Sequence, residues 1–263
     1  TYYCKYEPTG YYEDGNPRAR NTAGRLEYIP SLDKVCSFGG RSLHATGSIT
    51  MHVDCFDFDT LSWEELAADN PMTYLSQKMV YDPVKNQTLE REQDYYIKSF
   101  DFETNSWDRY YSGGFYADGG AVIQVDPIRR KLFGFGSTRD DIVKWDLDSK
   151  SSGQSLPILG VTDIVDIDNP CSDFDYVLNK IVVWNGGANL LSLDSETGEW
   201  QRHEPSITNT VAPPASDTKA MGRFRYMPKY NAYILLPSDV NSNILFYKLT
   251  SEETAPELPD YPA

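Results

Sequence analysis

Three histidines (His44, His52 and His203) are the only imidazoles in the chain, and two of them share one stretch, GGRSLHATGSITMH (39–52). A histidine beside a tyrosine such as Tyr116 can move a proton on and off an acidic sugar, which is the chemistry that cleaving a uronic-acid polysaccharide requires. The plainer alternative makes His44 an exposed loop residue and His52 a strand residue bonded within its own sheet. Around these stand groups suited to holding a ligand: Arg20 and Arg139 for carboxylates, Asn21 and Asn189 for hydroxyls, and Tyr116 for stacking on sugar C–H faces. No catalytic residue is assigned. The acidic run DIVDIDNPCSDFD (163–175) offers oxygens to calcium but lacks the spacing of an EF-hand loop, so it reads as a solvated acidic loop. The chain has 39 Asp plus Glu, too many for one carboxylate pair to be singled out for glycoside hydrolysis. No glycine-rich phosphate loop and no Gly-x-Ser-x-Gly elbow occur, so nucleotide-binding and serine-hydrolase readings fall away.

What must position these residues is a repeat. GRLEYIP (24–30) returns as GRFRYMP (222–228), with intermediate copies in MVYDP (79–83) and VIQVDP (122–127) and a degenerate one in FDYVLNK (174–180). The turn positions Pro30, Pro83, Pro127, Tyr176 and Pro228 therefore recur about every fifty residues. A second phrase alternates with the first: CFDFDTLSW (55–63), SFDFETNSW (99–107), VKWDLDSK (143–150), LLSLDSETGEW (190–200) and the half-copy ILFYKL (244–249). Each unit reads as four short strands with period-two alternation, and no stretch carries a 3.6-residue apolar period. One such sheet cannot bury both faces, whereas units stacked around an axis can, so the repeat predicts an all-β, five-bladed propeller. Its blades span about 17–66, 67–112, 113–156, 157–204 and 205–250 as a single domain. The innermost strands are expected near 25–29, 78–81, 121–125, 174–177 and 223–227. Blade 5 has no Trp-type outer strand, and the strand-like TYYCKYE (1–7) belongs to no blade. The expectation is that residues 1–7 pair antiparallel with 243–249 and close the ring.

Composition bounds the rest. Lys plus Arg total 24 against those 39 acids, a formal charge of −15, which argues against nucleic acid and anionic membranes as partners. No apolar run approaches the length of a membrane-spanning helix. Four cysteines without zinc spacing, with the sequon Asn86-Gln87-Thr88, point to a secreted or extracellular protein. Cys36 and Cys55 fall on the second and third strands of blade 1 and are expected to be bonded, leaving Cys4 and Cys171 unassigned. The acidic, proline-rich SEETAPELPDYPA (251–263) has the composition of a linker, so the expectation is a monomeric domain that can belong to a longer chain.

The phrases resemble kelch repeats, and the chain is similar to the galactose-oxidase/kelch-type propeller superfamily. Phe38-Gly39-Gly40 and Trp184-Asn185-Gly186-Gly187 match the kelch di-glycine, while FDFDTLSW and FDFETNSW match its later aspartate-turn-Trp portion. The copper oxidases of that superfamily imply paired Tyr and His ligands, which three histidines do not supply, so neither cofactor nor metal is expected. In a propeller the connections from strand four to strand one and from strand two to strand three leave one face, around the channel mouth. Arg20, Asn21, His44, Tyr116, Arg139 and Asn189 all fall there. The expectation is a recognition module holding a glycan or a protein loop at the mouth. The alternative is a carbohydrate-active enzyme, a polysaccharide lyase or glycoside hydrolase, using the same face.

Overall fold

The structure, a computed structural model, describes residues 11–22, 24–42, 49–67, 79–91, 96–112, 121–136, 141–161, 170–184, 188–206, 222–236 and 243–250. These form five separate sheets, antiparallel apart from one two-residue strand, the blades of a five-bladed propeller. In blade 1 the innermost strand is interrupted, as β1 (Arg20–Asn21) and β2 (Leu26–Ile29), both pairing with β3 (Lys34–Ser42). The blade continues through β4 (Ile49–Asp57) to β5 (Ser62–Ala67). Blade 2 runs β6 (Met79–Asp82), β7 (Gln87–Arg91), β8 (Tyr96–Asp101) and β9 (Ser106–Ser112). Blade 3 runs β10 (Ala121–Asp126), β11 (Lys131–Gly136), β12 (Asp141–Asp146) and β13 (Gln154–Pro157).

The chain then lays β14 (Leu159–Gly160) parallel on the outer edge of blade 4, against β18 (Glu199–His203). Blade 4 itself is built from β15 (Cys171–Asp175), β16 (Lys180–Trp184), β17 (Leu190–Leu193) and β18. Blade 5 shows β19 (Phe224–Met227), β20 (Ala232–Leu235) and β21 (Leu245–Tyr247). The only helical turn among the described residues is the 3-10 turn Pro228–Tyr230. The expected closing strand, residues 1–7, lies outside the described residues.

The repeated phrases are turns whose geometry is fixed by two residues each. In the first hairpin of every blade the residue three after the Pro or Tyr is left-handed: Asp33, Asn86, Arg130, Asn179 and Asn231, with φ between 43° and 56°. Asp82, Asp126 and Asp175 open three of these turns by accepting amide hydrogens from two or three residues ahead. In the second hairpin Asp57, Asp101, Asp146 and Asp194 do the same, at 2.8–3.1 Å. Those carboxylates explain why the aspartate of the FDFDT phrase recurs. They also correct the innermost strand of blade 4. It runs Cys171–Asp175 rather than 174–177, because Asp175 turns the chain at Tyr176–Asn179.

The core sits between blades, not within them. Alternate residues of one strand face opposite neighbours: on β11, Leu132 joins the cluster shared with blade 2, while Phe133 and Phe135 join the one shared with blade 4. Four such clusters fill the interfaces 1–2, 2–3, 3–4 and 4–5, anchored by fully buried side chains such as Phe38, Trp145, Trp200 and Tyr233. Each aromatic or large aliphatic side chain so buried contributes roughly 1.5–3 kcal/mol. Polar contacts tie every blade to the next. Arg25 meets Glu90 at 2.9 Å, Arg130 bridges to Asp82 at 2.6 Å, and Arg129 reaches the Asn179 side chain at 2.9 Å. Asp173 accepts the Tyr226 amide and Asp175 the Tyr233 hydroxyl. Arg225 closes the ring onto Glu27 at 2.7 Å. The expected disulfide is present: Cys36 and Cys55 stand directly opposite on β3 and β4, with Cα atoms 4.0 Å apart.

Candidate functional site

Strand direction fixes where the connections go. Strands one and three of each blade run away from one face and strands two and four run toward it. The two–three and four–one connections therefore all leave that face, and the tight aspartate turns lie on the other. Of the six predicted ligand residues, His44, Tyr116 and Arg139 fall in such connections and lie outside the described residues. Asn189, half-buried, is the last residue of the two–three connection of blade 4, directly before β17. Asn21 sits in β1, paired in register with Arg41 at the mouth end of β3.

Arg20 is placed beside Asn21, and its side chain turns inward. Nη2 lies 2.5 Å from Asp54 Oδ2, with the arginine side chain 5% exposed and Asp54 fully buried. Tyr11 donates its hydroxyl to the other Asp54 oxygen at 2.6 Å, and Arg18 Nε donates to the Tyr11 carbonyl at 2.7 Å. Burial, reinforced by the Asp54 carboxylate, pushes the Tyr11 phenol far above its ordinary range, so it stays a donor. Arg20 thus anchors the segment that precedes β1. Its second amino group, Nη1, is buried without a hydrogen-bond partner, and a buried donor in that state costs about 1–3 kcal/mol.

The remaining described histidines are bonded within their own blades. His52 Nδ1 lies 2.7 Å from Glu65 on the neighbouring strand and packs edge-on against Tyr11, ring centroids 5.1 Å apart. Tyr11, Asp54, Trp63, Glu64 and Glu65 line a small cavity of about 210 Å³ there. His203 Nε2 lies 2.8 Å from the buried Ser192 hydroxyl. Burial, assisted by the nearby Lys180 charge, holds the His203 imidazole below its usual value. Sequence reasoning missed the Arg20–Asp54 and Arg25–Glu90 pairs. Their partners are far apart in the chain, and only the period-two alternation on β4 and β7 hinted at inward carboxylates.

The acidic run is partly spent on structure. Asp173 accepts the amides of Phe174 and Tyr226, and Asp175 caps its turn and accepts the Tyr233 hydroxyl. Residues 163–169 of the run lie outside the described residues. Among the described residues, no group of three or more His, Cys, Asp or Glu side chains is placed to hold a metal ion. No helix among them is long and apolar enough to cross a membrane.

No family model matches the chain, and neither does any curated sequence. Among solved structures, the one titled "Structure of YjhT" superposes with a TM-score of 0.63 at 11% identity, covering 90% of this chain and 83% of that one. At that identity the likeness carries the fold: this chain is built as a β-propeller.

Proposed function

We propose that the protein is an extracellular recognition module that holds a glycan, or a loop of another protein, on the face from which the two–three and four–one connections leave. The observation that carries this reading is the division of labour between the two ends of the blades. The aspartate-turn end is consumed by repeated capping bonds and inter-blade ion pairs. The other end holds the varied sequences, with Asn21, His44, Tyr116, Arg139 and Asn189 as ligand contacts. Scaffolds that vary their connections over a fixed frame place binding there. Arg20 belongs to this set as the residue that fixes the entry to β1, its guanidinium held by Asp54. The single disulfide of blade 1 supports an oxidising compartment.

An array of neutral and acidic oligosaccharides tests the reading, with the parent protein beside Arg139→Ala and Asn189→Ala. Binding to one chemical class, weakened at least about tenfold by either change (about 1.4 kcal/mol), is expected. Glycan binding that both variants retain in full overturns the placement, and no binding to any glycan overturns the glycan reading. Release of shortened or unsaturated sugar products during the incubation would favour the enzyme instead.

A further inference from the structure

Asn86-Gln87-Thr88 is the chain's only Asn-x-Ser/Thr sequence, and neither the fold nor the mouth accounts for it. It ends the first hairpin turn of blade 2, on the aspartate-turn end and opposite the ligand face. Asn86 is the left-handed residue of that turn, at φ 48°, and Gln87 opens β7. Asparagine takes up this conformation more readily than most side chains.

The two ends of the Asn86 amide are used differently. Oδ1 accepts the Ser31 hydroxyl of blade 1 at 2.6 Å and the Tyr81 hydroxyl of β6 at 2.9 Å. Nδ2 makes no hydrogen bond among the described residues and is not one of the side-chain atoms buried without a partner, so it meets solvent. At the same turn position in blade 5, Asn231 spends its Nδ2 on the Thr250 hydroxyl, at 2.7 Å. A group added to Asn86 Nδ2 would leave both bonds to Oδ1 in place.

Thr88 is out of character for its position. It is 0% exposed, and its Oγ1 is buried without a hydrogen-bond partner. It stands second in the second strand of its blade, paired with Tyr81. The residues at that register in the other blades are Val35, Leu132, Ile181 and Tyr233, three aliphatics and a tyrosine whose hydroxyl bonds Asp175. An unbonded buried hydroxyl weakens a fold, and valine would fill the same space without one. The folded protein gives this hydroxyl no contact, whereas an N-glycosylation acceptor requires it.

We propose that Asn86 is an N-glycosylation site that carries an oligosaccharide on Nδ2. In the transfer, the amide nitrogen displaces diphosphate from the anomeric carbon of a lipid-diphosphate-linked oligosaccharide. One C–N bond forms, one C–O bond breaks, the nitrogen gives up one proton and the lipid diphosphate leaves, with no change of oxidation state. Thr88 is closed off in the fold, so the transfer precedes the folding of blade 2. The glycan projects from the aspartate-turn end and leaves the face of the varied connections open. The inference rests on the secretory compartment of the reading above, and not on which ligand the mouth holds.

Chain secreted by a eukaryotic host tests it after digestion with trypsin, whose cuts behind Lys85 and Arg91 isolate residues 86–91. The unmodified peptide should be lost, and peptide N-glycosidase should restore it with the asparagine converted to aspartate. Thr88→Ser should keep the glycan and Thr88→Val should lose it. In the bacterial periplasm, where neither chain is glycosylated, Thr88→Val should melt no lower than the parent. An unmodified Asn86 in secreted chains whose Cys36–Cys55 bond has formed overturns the proposal and leaves the compartment standing. An unmodified Asn86 beside reduced Cys36 and Cys55 overturns both. A Thr88→Val chain that melts well below the periplasmic parent also overturns it, since the hydroxyl would then be serving the fold.

Discussion

Replacing Glu90 by glutamine should destabilise the protein more than its near-identical shape suggests. Arg25 and Glu90 meet at 2.9 Å across the interface of blades 1 and 2, with side chains 0% and 1% exposed. Burial already pulls the Arg25 guanidinium below its ordinary range, and the Glu90 carboxylate opposes that pull. Glutamine keeps the volume and removes the charge, leaving the cation in a site that does not hydrate it. Breaking one side of such a pair costs about 3–5 kcal/mol. For a chain of this size that corresponds to a melting temperature roughly 6–20 °C lower, at about 2–4 °C per kcal/mol. The double variant Arg25→Met/Glu90→Met, with no charge to strand, should recover to within about 1–2 kcal/mol of the parent. Urea unfolding followed by tryptophan fluorescence measures the parent, the single and the double variant. If Glu90→Gln melts with the parent, or the double variant is no better than the single, the pair is not the buried contact described.

Other consequences follow from single contacts. Cys36→Ala/Cys55→Ala opens a loop of sequence separation 19; the stability lost in urea should be about 3 kcal/mol, and a loss under 1 kcal/mol contradicts it. His203 titrates at lower pH folded than its ordinary 6.5, so the unfolded chain takes the proton first and stability should fall as pH drops through and below 6.5. His203→Gln should flatten that part of the melting-temperature profile, and an unchanged slope would show that the imidazole is not responsible. Gly160, at φ +79°, would bring a Cβ to 2.4 Å from the Trp200 carbonyl; Gly160→Ala should cost about 1–3 kcal/mol and free the β14 amides to exchange, whereas parental exchange refutes the strap. Leu61 is left-handed at φ 53° and 73% exposed, so Leu61→Gly should raise stability by up to about 1 kcal/mol, and a lower melting temperature would contradict that.

The blades were legible in the sequence because each hairpin carries its own instruction. An aspartate that caps the turn and a left-handed Asn, Asp or Arg three residues past the proline position recur at one spacing, and strand alternation fills in the rest. The blade 1 disulfide was legible for the same reason, since Cys36 and Cys55 fall at matching depths on consecutive strands. Blade 4's inner strand was misplaced because Tyr176 stands where other blades have proline, and the apolar Phe174–Val177 reads as strand until the capping role of Asp175 is known. The β14 strap had no signal: two residues held by a parallel neighbour leave no periodicity. Contacts between blades were not legible either. Arg130 and Asp82 are 48 residues apart, and Arg225 and Glu27 are 198 apart. Both pairs are set by the stacking of blade on blade rather than by local pattern. For the candidate site, topology brings the two–three and four–one connections to one face, while their sequences differ from blade to blade and carry no repeat from which a contact could be read.

Differential hydrogen exchange, with and without the glycan bound best on the array, tests most directly whether ligand is held on the face of the varied connections. Slowed exchange is predicted in the peptides covering Arg20–Asn21, 43–48, 113–120, 137–140 and Asn189. Slowed exchange confined to the aspartate turns at 30–33, 83–86, 127–130 and 176–179, or to the outer strands, would contradict it.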